Sequence, residues 1–148
     1  MSDALKARAL RLLSGREHSR AELTRKLANS GDSDSIEALL DRLEELDLLS
    51  DARFAQSYIR SRQARLGSQR LRLELKQKGI ADHLIEAAMQ DSATSDDEAR
   101  ARAVWQKKFG TSPTGARDWA KQARFLQGRG FAADIIHRIL KDCDDEPA

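Results

Sequence analysis

One arrangement of apolar and polar positions returns three times along the chain. In the first copy Leu23 and Leu27 are followed by Gly31 and then by Ile36. The second copy has Leu71 and Leu75, then Gly79, then Leu84. The third ends a helical stretch at Phe125-Leu126 and continues to Gly130 and Ile135. Leu27, Leu75 and Leu126 align at separations of 48 and 51 residues, and each glycine follows its leucine by four. A period of that length suits a small helical unit stacked on the next.

Between these markers the apolar residues keep helical spacing. Leu5, Ala9, Leu12 and Leu13 form a stripe that stops at Gly15. Ser19-Arg-Ala-Glu22 has the form of a capping box, in which the serine accepts from the third backbone N–H and the glutamate reaches back. The next helix carries Leu23 and Leu27, and the one after it Ile36, Leu39, Leu40, Leu43 and Leu46. Asp51 reads as the N-cap of a helix bearing Phe54, Ala55, Tyr58, Ile59 and Leu66. Gly67-Ser68 breaks it. A short helix with Leu71 and Leu75 follows, then one with Leu84, Ile85, Ala88 and Met89. Residues 91–96 read as a linker, and Ser95-Asp-Asp-Glu98 as a second capping box opening a helix with Ala99, Ala103 and Phe109. Trp119, Ala123 and Leu126 share one face, and Ile135, Ile136, Ile139 and Leu140 another. Strand signals are nearly absent: Val and Tyr occur once each. The expected fold is all-α, three tandem three-helix repeats in an elongated, curved arrangement. The repeats are expected over residues 1–50, 51–91 and 96–141, with an acidic tail at 142–148.

Composition agrees with small units in series. Of 148 residues 34% are charged and 40% hydrophobic, more charge and less apolar matter than one compact core would call for. The net charge of +2 does not by itself imply nucleic acid. Its distribution is more telling. Residues 53–78 hold eight bases and one acid, Glu74, whereas residues 1–51 hold eight bases and eleven acids. The lone cysteine, Cys143, permits no intramolecular disulfide, and no metal-ligand spacing occurs. No signal-type apolar run opens the chain, and no stretch nears the ~18 apolar residues of a membrane span. These features lead to the expectation of a soluble cytoplasmic protein without cofactor or metal.

The basic stretch is the main candidate site. Arginine suits phosphate or carboxylate partners because its planar guanidinium donates as a fork. The plainer reading is a solvated helix pair in a charge-rich chain, and the excess of bases favours a binding face. Arg60, Arg65, Arg70, Arg72, Lys76 and Lys78 are the expected contacts, with Arg124 and Arg129 around the third glycine phrase. Arg62 falls near the apolar side and reads as a packing or ion-pair residue. Gly128-Arg-Gly130 lacks the Lys-Ser/Thr of a phosphate-cradling loop, so Gly31, Gly79 and Gly130 read as helix C-caps. His18, His83 and His137 have no nucleophile partner and read as surface or capping residues. Acids at helix starts suit the dipole and not an acid–base pair. Trp105 and Trp119 could stack bases, but their neighbours make them core residues. No catalytic constellation is present.

Four blocks resemble the RecX family. Leu12-Leu-Ser-Gly-Arg-Glu-His-Ser-Arg-Ala-Glu-Leu-Thr-Arg-Lys-Leu27 is similar to its opening block, and Leu48-Leu-Ser-Asp-Ala-Arg-Phe-Ala-Gln-Ser-Tyr58 to the junction of its first two repeats. Gly67-Ser-Gln-Arg-Leu-Arg-Leu-Glu-Leu-Lys-Gln-Lys-Gly-Ile80 resembles its second-repeat block. Ala123-Arg-Phe-Leu-Gln-Gly-Arg-Gly-Phe131 resembles its third, with Gln127-Gly128 departing from the usual pattern. The resemblance spans roughly residues 5–141. It implies a non-enzymatic bacterial regulator that binds filaments of the recombinase RecA along their groove. Inhibition of ATP hydrolysis, strand exchange and co-protease activity is implied with it. Weak DNA binding by some members is implied as well, and no catalytic residues. The partner expected is the RecA nucleoprotein filament, the chain itself acting as a monomer. A directly nucleic-acid-binding helical protein is the alternative. It would explain the basic stretch but not the acidic first copy.

Repeats in series touch only their neighbours. Small-angle scattering should therefore return a radius of gyration above the ~15 Å of a compact chain of this length. The compact value would oppose the serial arrangement.

Overall fold

A computed structural model describes residues 2–91 and 96–144, the side chains of Ser2 and of 142–144 excepted. Among the described residues there are nine α-helices and no strand. They are α1 (Ser2–Gly15), α2 (Arg20–Leu27), α3 (Ser33–Glu45), α4 (Asp51–Arg62) and α5 (Ser68–Gln77), followed by α6 (Asp82–Asp91), α7 (Asp97–Lys108), α8 (Ala116–Gly128) and α9 (Ala133–Asp144). The expected acidic tail is helical to Asp144, and 145–148 lie outside the described residues. So does most of the expected linker, residues 92–95. The chain packs as two compact units, Met1–Tyr58 with Leu75–Ala88 and Ile59–Glu74 with Met89–Ala148. The division falls inside α4, α5 and α6.

In the first unit α1, α2 and α3 close over Leu5, Ala9, Leu23, Leu27, Ile36, Leu40, Leu43 and Leu49. The capping box forms as expected. Ser19 Oγ accepts from Glu22 N–H at 3.1 Å, and Glu22 Oε1 accepts from Ser19 N–H at 3.1 Å. The N-cap of α4 lies one residue before the expected Asp51. Ser50 Oγ accepts from Arg53 N–H, while the Asp51 carboxylate accepts from Arg20 N–H at 2.8 Å. Asp51 thus serves the start of α2, a partner distant in sequence. In α7 the cap is Asp96, whose carboxylate accepts from Ala99 N–H at 3.0 Å; Ser95 lies outside the described residues.

The second unit packs Ala101, Trp105, Leu126, Phe131, Ile136, Ile139 and Leu140 together. Trp105 is a core residue: its indole N–H donates to buried Gln122 at 2.8 Å, and Gln122 donates onward to the Thr111 carbonyl. Trp119 is half-buried against the His137 ring, 5.1 Å between centroids. At the head of α7, Asp97 accepts from the Ser68 hydroxyl and from Arg100. Arg100 also donates to the carbonyls of Gln63 and Leu66, satisfying acceptors left at the end of α4.

The repeated glycines split into two kinds. Gly79 and Gly130 have φ of +83° and +93°. Each sits in a Schellman turn. Ile80 N–H reaches Leu75 C=O and Gly79 N–H reaches Lys76 C=O, and Phe131 with Gly130 repeats this on Leu126 and Gln127. Gly31 corrects the expectation. Helix α2 ends at Leu27, its C-cap is Ala28, and Gly31 has no positive φ. The first turn, counted from the aligned leucine to the next helix, is one residue shorter: six from Leu27 to Ser33 against seven from Leu75 to Asp82 and from Leu126 to Ala133. The apolar residue after it therefore aligns differently: Ile36 corresponds to buried Ile85 and Ile136, not to the half-buried Leu84 and Ile135.

Both positive-φ glycines lie against a helix start within their own unit. A Cβ on Gly79 would stand 2.5 Å from Ala21 Cβ, and one on Gly130 2.2 Å from Arg70 Cβ. The neighbouring carbonyls make matching bonds. Ser19 Oγ donates to Lys78 C=O at 2.8 Å, and Gly67 N–H donates to Arg129 C=O at 2.7 Å. Ser19 and Gly67 occupy equivalent positions of the first and second copies, as do Lys78 and Arg129 of the second and third.

Gly130→Ala should lower stability by about 2–3 kcal/mol through left-handed strain and the clash with Arg70. Gly128→Ala, two residues earlier, meets nothing within 4 Å and lies in α8. It should stabilise by about 0.5–1 kcal/mol. Urea unfolding of the two variants beside the parent checks both signs.

Glu22 is buried with Arg16 at 2.9 Å and Lys78 at 3.7 Å. Burial opposes its ionisation. The Arg16 hydrogen bond, the Ser19 N–H and the charges of Arg16 and Lys78 outweigh burial and bring the carboxyl from 4.5 to about 2. A depressed carboxylate contributes stability that is complete above pH 4.5 and lost as pH falls towards 2. Glu22→Gln keeps the cap but not the charge, so the parent should lose on the order of 2 kcal/mol more than the variant across that window. Parallel acid titrations followed by circular dichroism measure the difference.

Candidate functional site: basic groups and the groove of the second unit

The structure sets several of the expected contact residues in ion pairs. Lys78 is half-buried over Glu22, and its carbonyl is taken by Ser19, so it helps hold the first unit. Arg70 pairs with Glu74 at 2.6 Å, one turn along α5. Glu74 also lies 4.0 Å from Arg62, in keeping with the ion-pair reading of that arginine. Arg53, facing the acidic segment, bonds Glu17 and Asp47. These pairs answer much of the local excess of positive charge. Arg60 on α4, Arg72 and Lys76 on α5 and Arg124 on α8 are exposed. Arg72 and Lys76 stand four apart on one side of their helix.

His18 departs from the surface reading. It is 3% exposed, with Nδ1 3.0 Å from Arg16 C=O and Nε2 3.0 Å from Lys26 Nζ. The ammonium can only donate, so Nε2 accepts and Nδ1 carries the proton. Burial holds its pKa below the ordinary value against the Arg16 carbonyl bond, and the charges of Arg16 and Lys26 act with burial. His18 is a neutral structural linker between Arg16 and Lys26. His83 and His137 are exposed.

Two expected residues, Arg65 and Arg129, come together in the second unit. They line a groove of about 440 Å³ with Lys107 and Lys108. Its apolar wall includes Val104 and Phe125. Lys108 Nζ lies 5.4 Å and the Arg129 guanidinium 5.1 Å from the centre of the Phe125 ring, within cation–π range. Phe109 meets the same ring edge-on at 5.4 Å. Among the described residues the groove is lined by four cations and no carboxylate. Lys107 and Lys108 were not among the expected contacts. They stand in the last turn of α7, where bases complement the helix dipole, and sequence offers no sign that α8 brings an aromatic ring beside them.

Among the described residues no cluster of His, Cys, Asp or Glu could hold a metal. No described helix is long and apolar enough to cross a membrane.

Comparison with known proteins covers nearly the whole chain. Three RecX family models match in order: the first three-helix domain over residues 6–43, the second over 50–89 and the third over 96–140. Regulatory protein RecX of Leptothrix cholodnii is 45% identical over 145 residues, covering 97% of this chain and 91% of that protein. Its namesake in Herminiimonas arsenicoxydans is 48% identical over 140 residues, covering 93% and 91%. The crystal structure of RecX from Lactobacillus salivarius matches with a TM-score of 0.80 at 25% identity, over 97% of this chain and 96% of that one. Three consecutive three-helix domains, each matched by its own model, and relatives of almost equal extent place this chain in the RecX family of regulatory proteins.

Proposed function

We propose that this protein is a negative regulator of the recombinase RecA. It binds the RecA–DNA filament in the cytoplasm and inhibits ATP hydrolysis, strand exchange and co-protease activity, catalysing nothing itself. The observation that carries this reading is the unbroken run of three RecX domains with relatives named as regulatory proteins. Exposed bases on α4, α5 and α8 support it, since a nucleoprotein filament offers phosphates and acidic side chains together. We place the repeats at 1–50, 51–91 and 96–141, and Arg60, Arg72, Lys76 and Arg124 in the contact. Direct binding to nucleic acid is a second reading, favoured by the four-cation groove. Co-pelleting with RecA filaments on single strands, set beside binding to bare strands, separates the two.

A molar excess of the protein should suppress RecA's DNA-dependent ATP turnover and strand exchange. Unchanged turnover and exchange would exclude the role. Reversing Arg60, Arg72 and Lys76 to Glu should weaken filament binding and flatten its salt dependence while leaving helix content unchanged. Inhibition equal to the parent's at ~150 mM salt, where the Debye length is ~8 Å, would remove Arg60, Arg72 and Lys76 from the contact and leave it to Arg124 with Arg129.

A further inference from the structure

The groove of the second unit is more than part of a diffuse basic face. Arg65, Lys107, Lys108 and Arg129 come from three separated segments and face one cavity. None of the four forms an ion pair among the described residues, whereas Arg70, Arg100, Arg102 and Arg138 of the same unit each have a carboxylate. Folding therefore concentrates positive charge here without neutralising it. Four like charges around one concavity oppose one another, and a bound anion relieves that repulsion.

The wall narrows the class of anion. Phe125 and Val104 offer an apolar surface beside the cations. A bare inorganic ion would leave that surface unused. An acidic peptide would pair carboxylates with the forks but supplies a flat group only where it carries an aromatic side chain. A nucleoside phosphate has both parts: phosphate oxygens for the two guanidinium forks and two ammonium groups, and a base for the aromatic and guanidinium planes. A volume of about 440 Å³ falls in the range of small-ligand sites. We propose that this groove binds a nucleoside phosphate, its phosphate on Lys107, Lys108 and Arg65 and its base against Phe125 and Arg129. The ligand is either a free nucleotide or one residue of a single strand. This site does not depend on the filament-binding reading, and its test contains no RecA.

The full-length chain is titrated calorimetrically with ATP, with a 12-residue thymidine strand, with inorganic phosphate and with a glutamate decapeptide. The parent is compared with Lys107→Gln/Lys108→Gln, with Phe125→Leu and with a first-unit control, Lys6→Gln/Arg25→Gln. ATP or the strand should bind saturably, and the groove pair should weaken binding roughly 10-fold while the control leaves it within roughly 2-fold. For the strand, the pair should also reduce the salt slope by about 1.4, two contacts at ~0.7 each. Phe125→Leu should weaken binding roughly 5-fold without altering the slope. ATP binding assigns a nucleotide pocket, and strand binding alone assigns the groove to a chain. Should Phe125→Leu unfold the unit, the lysine pair, exposed at both positions, still decides. The proposal is overturned if neither ATP nor the strand binds at millimolar concentration, or if the control weakens binding as much as the groove pair. Phosphate or the decapeptide binding as tightly as both nucleotide probes overturns it as well.

Discussion

The structure depends on a short contact to a helix-end carbonyl, made twice. A helix ends in a left-handed glycine, and the carbonyl just before that glycine faces the head of a helix from the preceding copy. In one unit Lys78 C=O receives the Ser19 hydroxyl; in the other Arg129 C=O receives the Gly67 amide. The last carbonyls of a helix lack partners within it and the first N–H groups lack acceptors, so abutting the two answers deficits that helix ends carry. The approach is close enough that a methyl group would not fit at Gly79, Gly130 or Gly67. Such a contact fixes the end of one helix against the head of another. Leu27, Leu75 and Leu126, the leucines of the repeated phrase, are all fully buried.

Most of the helical architecture was legible because it follows from period and punctuation. Apolar spacing located the helices, and the Ser19–Glu22 box appeared as written. What was not legible required knowledge of partners distant in sequence. Asp51 looks like a cap for its own helix because nothing local shows that Arg20 N–H claims it. Gly31 looks like its two counterparts because spacing from the leucine cannot reveal that α2 ends at Leu27 itself, whereas α5 and α8 run two residues past theirs. His18 looks like a surface residue because its burial comes from tertiary packing.

Charge was legible as an amount and not as an availability. The excess of bases over residues 53–78 is plain in the sequence, but folding sets several of the eight against acids: Arg53 with Glu17, Arg62 and Arg70 with Glu74, and Lys78 with Glu22. The groove shows the opposite case. Arg65, Lys107, Lys108 and Arg129 belong to segments with no common signature, and their meeting around Phe125 exists only in three dimensions. Surface ion pairs contribute little to stability. Their larger effect here is to decide which cations remain available to a partner.

The two joints differ in how they would respond to random substitution. The Ser19 joint hangs on a hydroxyl and is open to loss by a single codon change. In the joint of Gly67 N–H on Arg129 C=O both bonding atoms belong to the backbone, and every residue but proline carries them. What the second joint demands of heredity is the absence of a side chain at two points. The letters around it are free to drift, and a lineage could rewrite the surface of its last unit while the helices kept their seating.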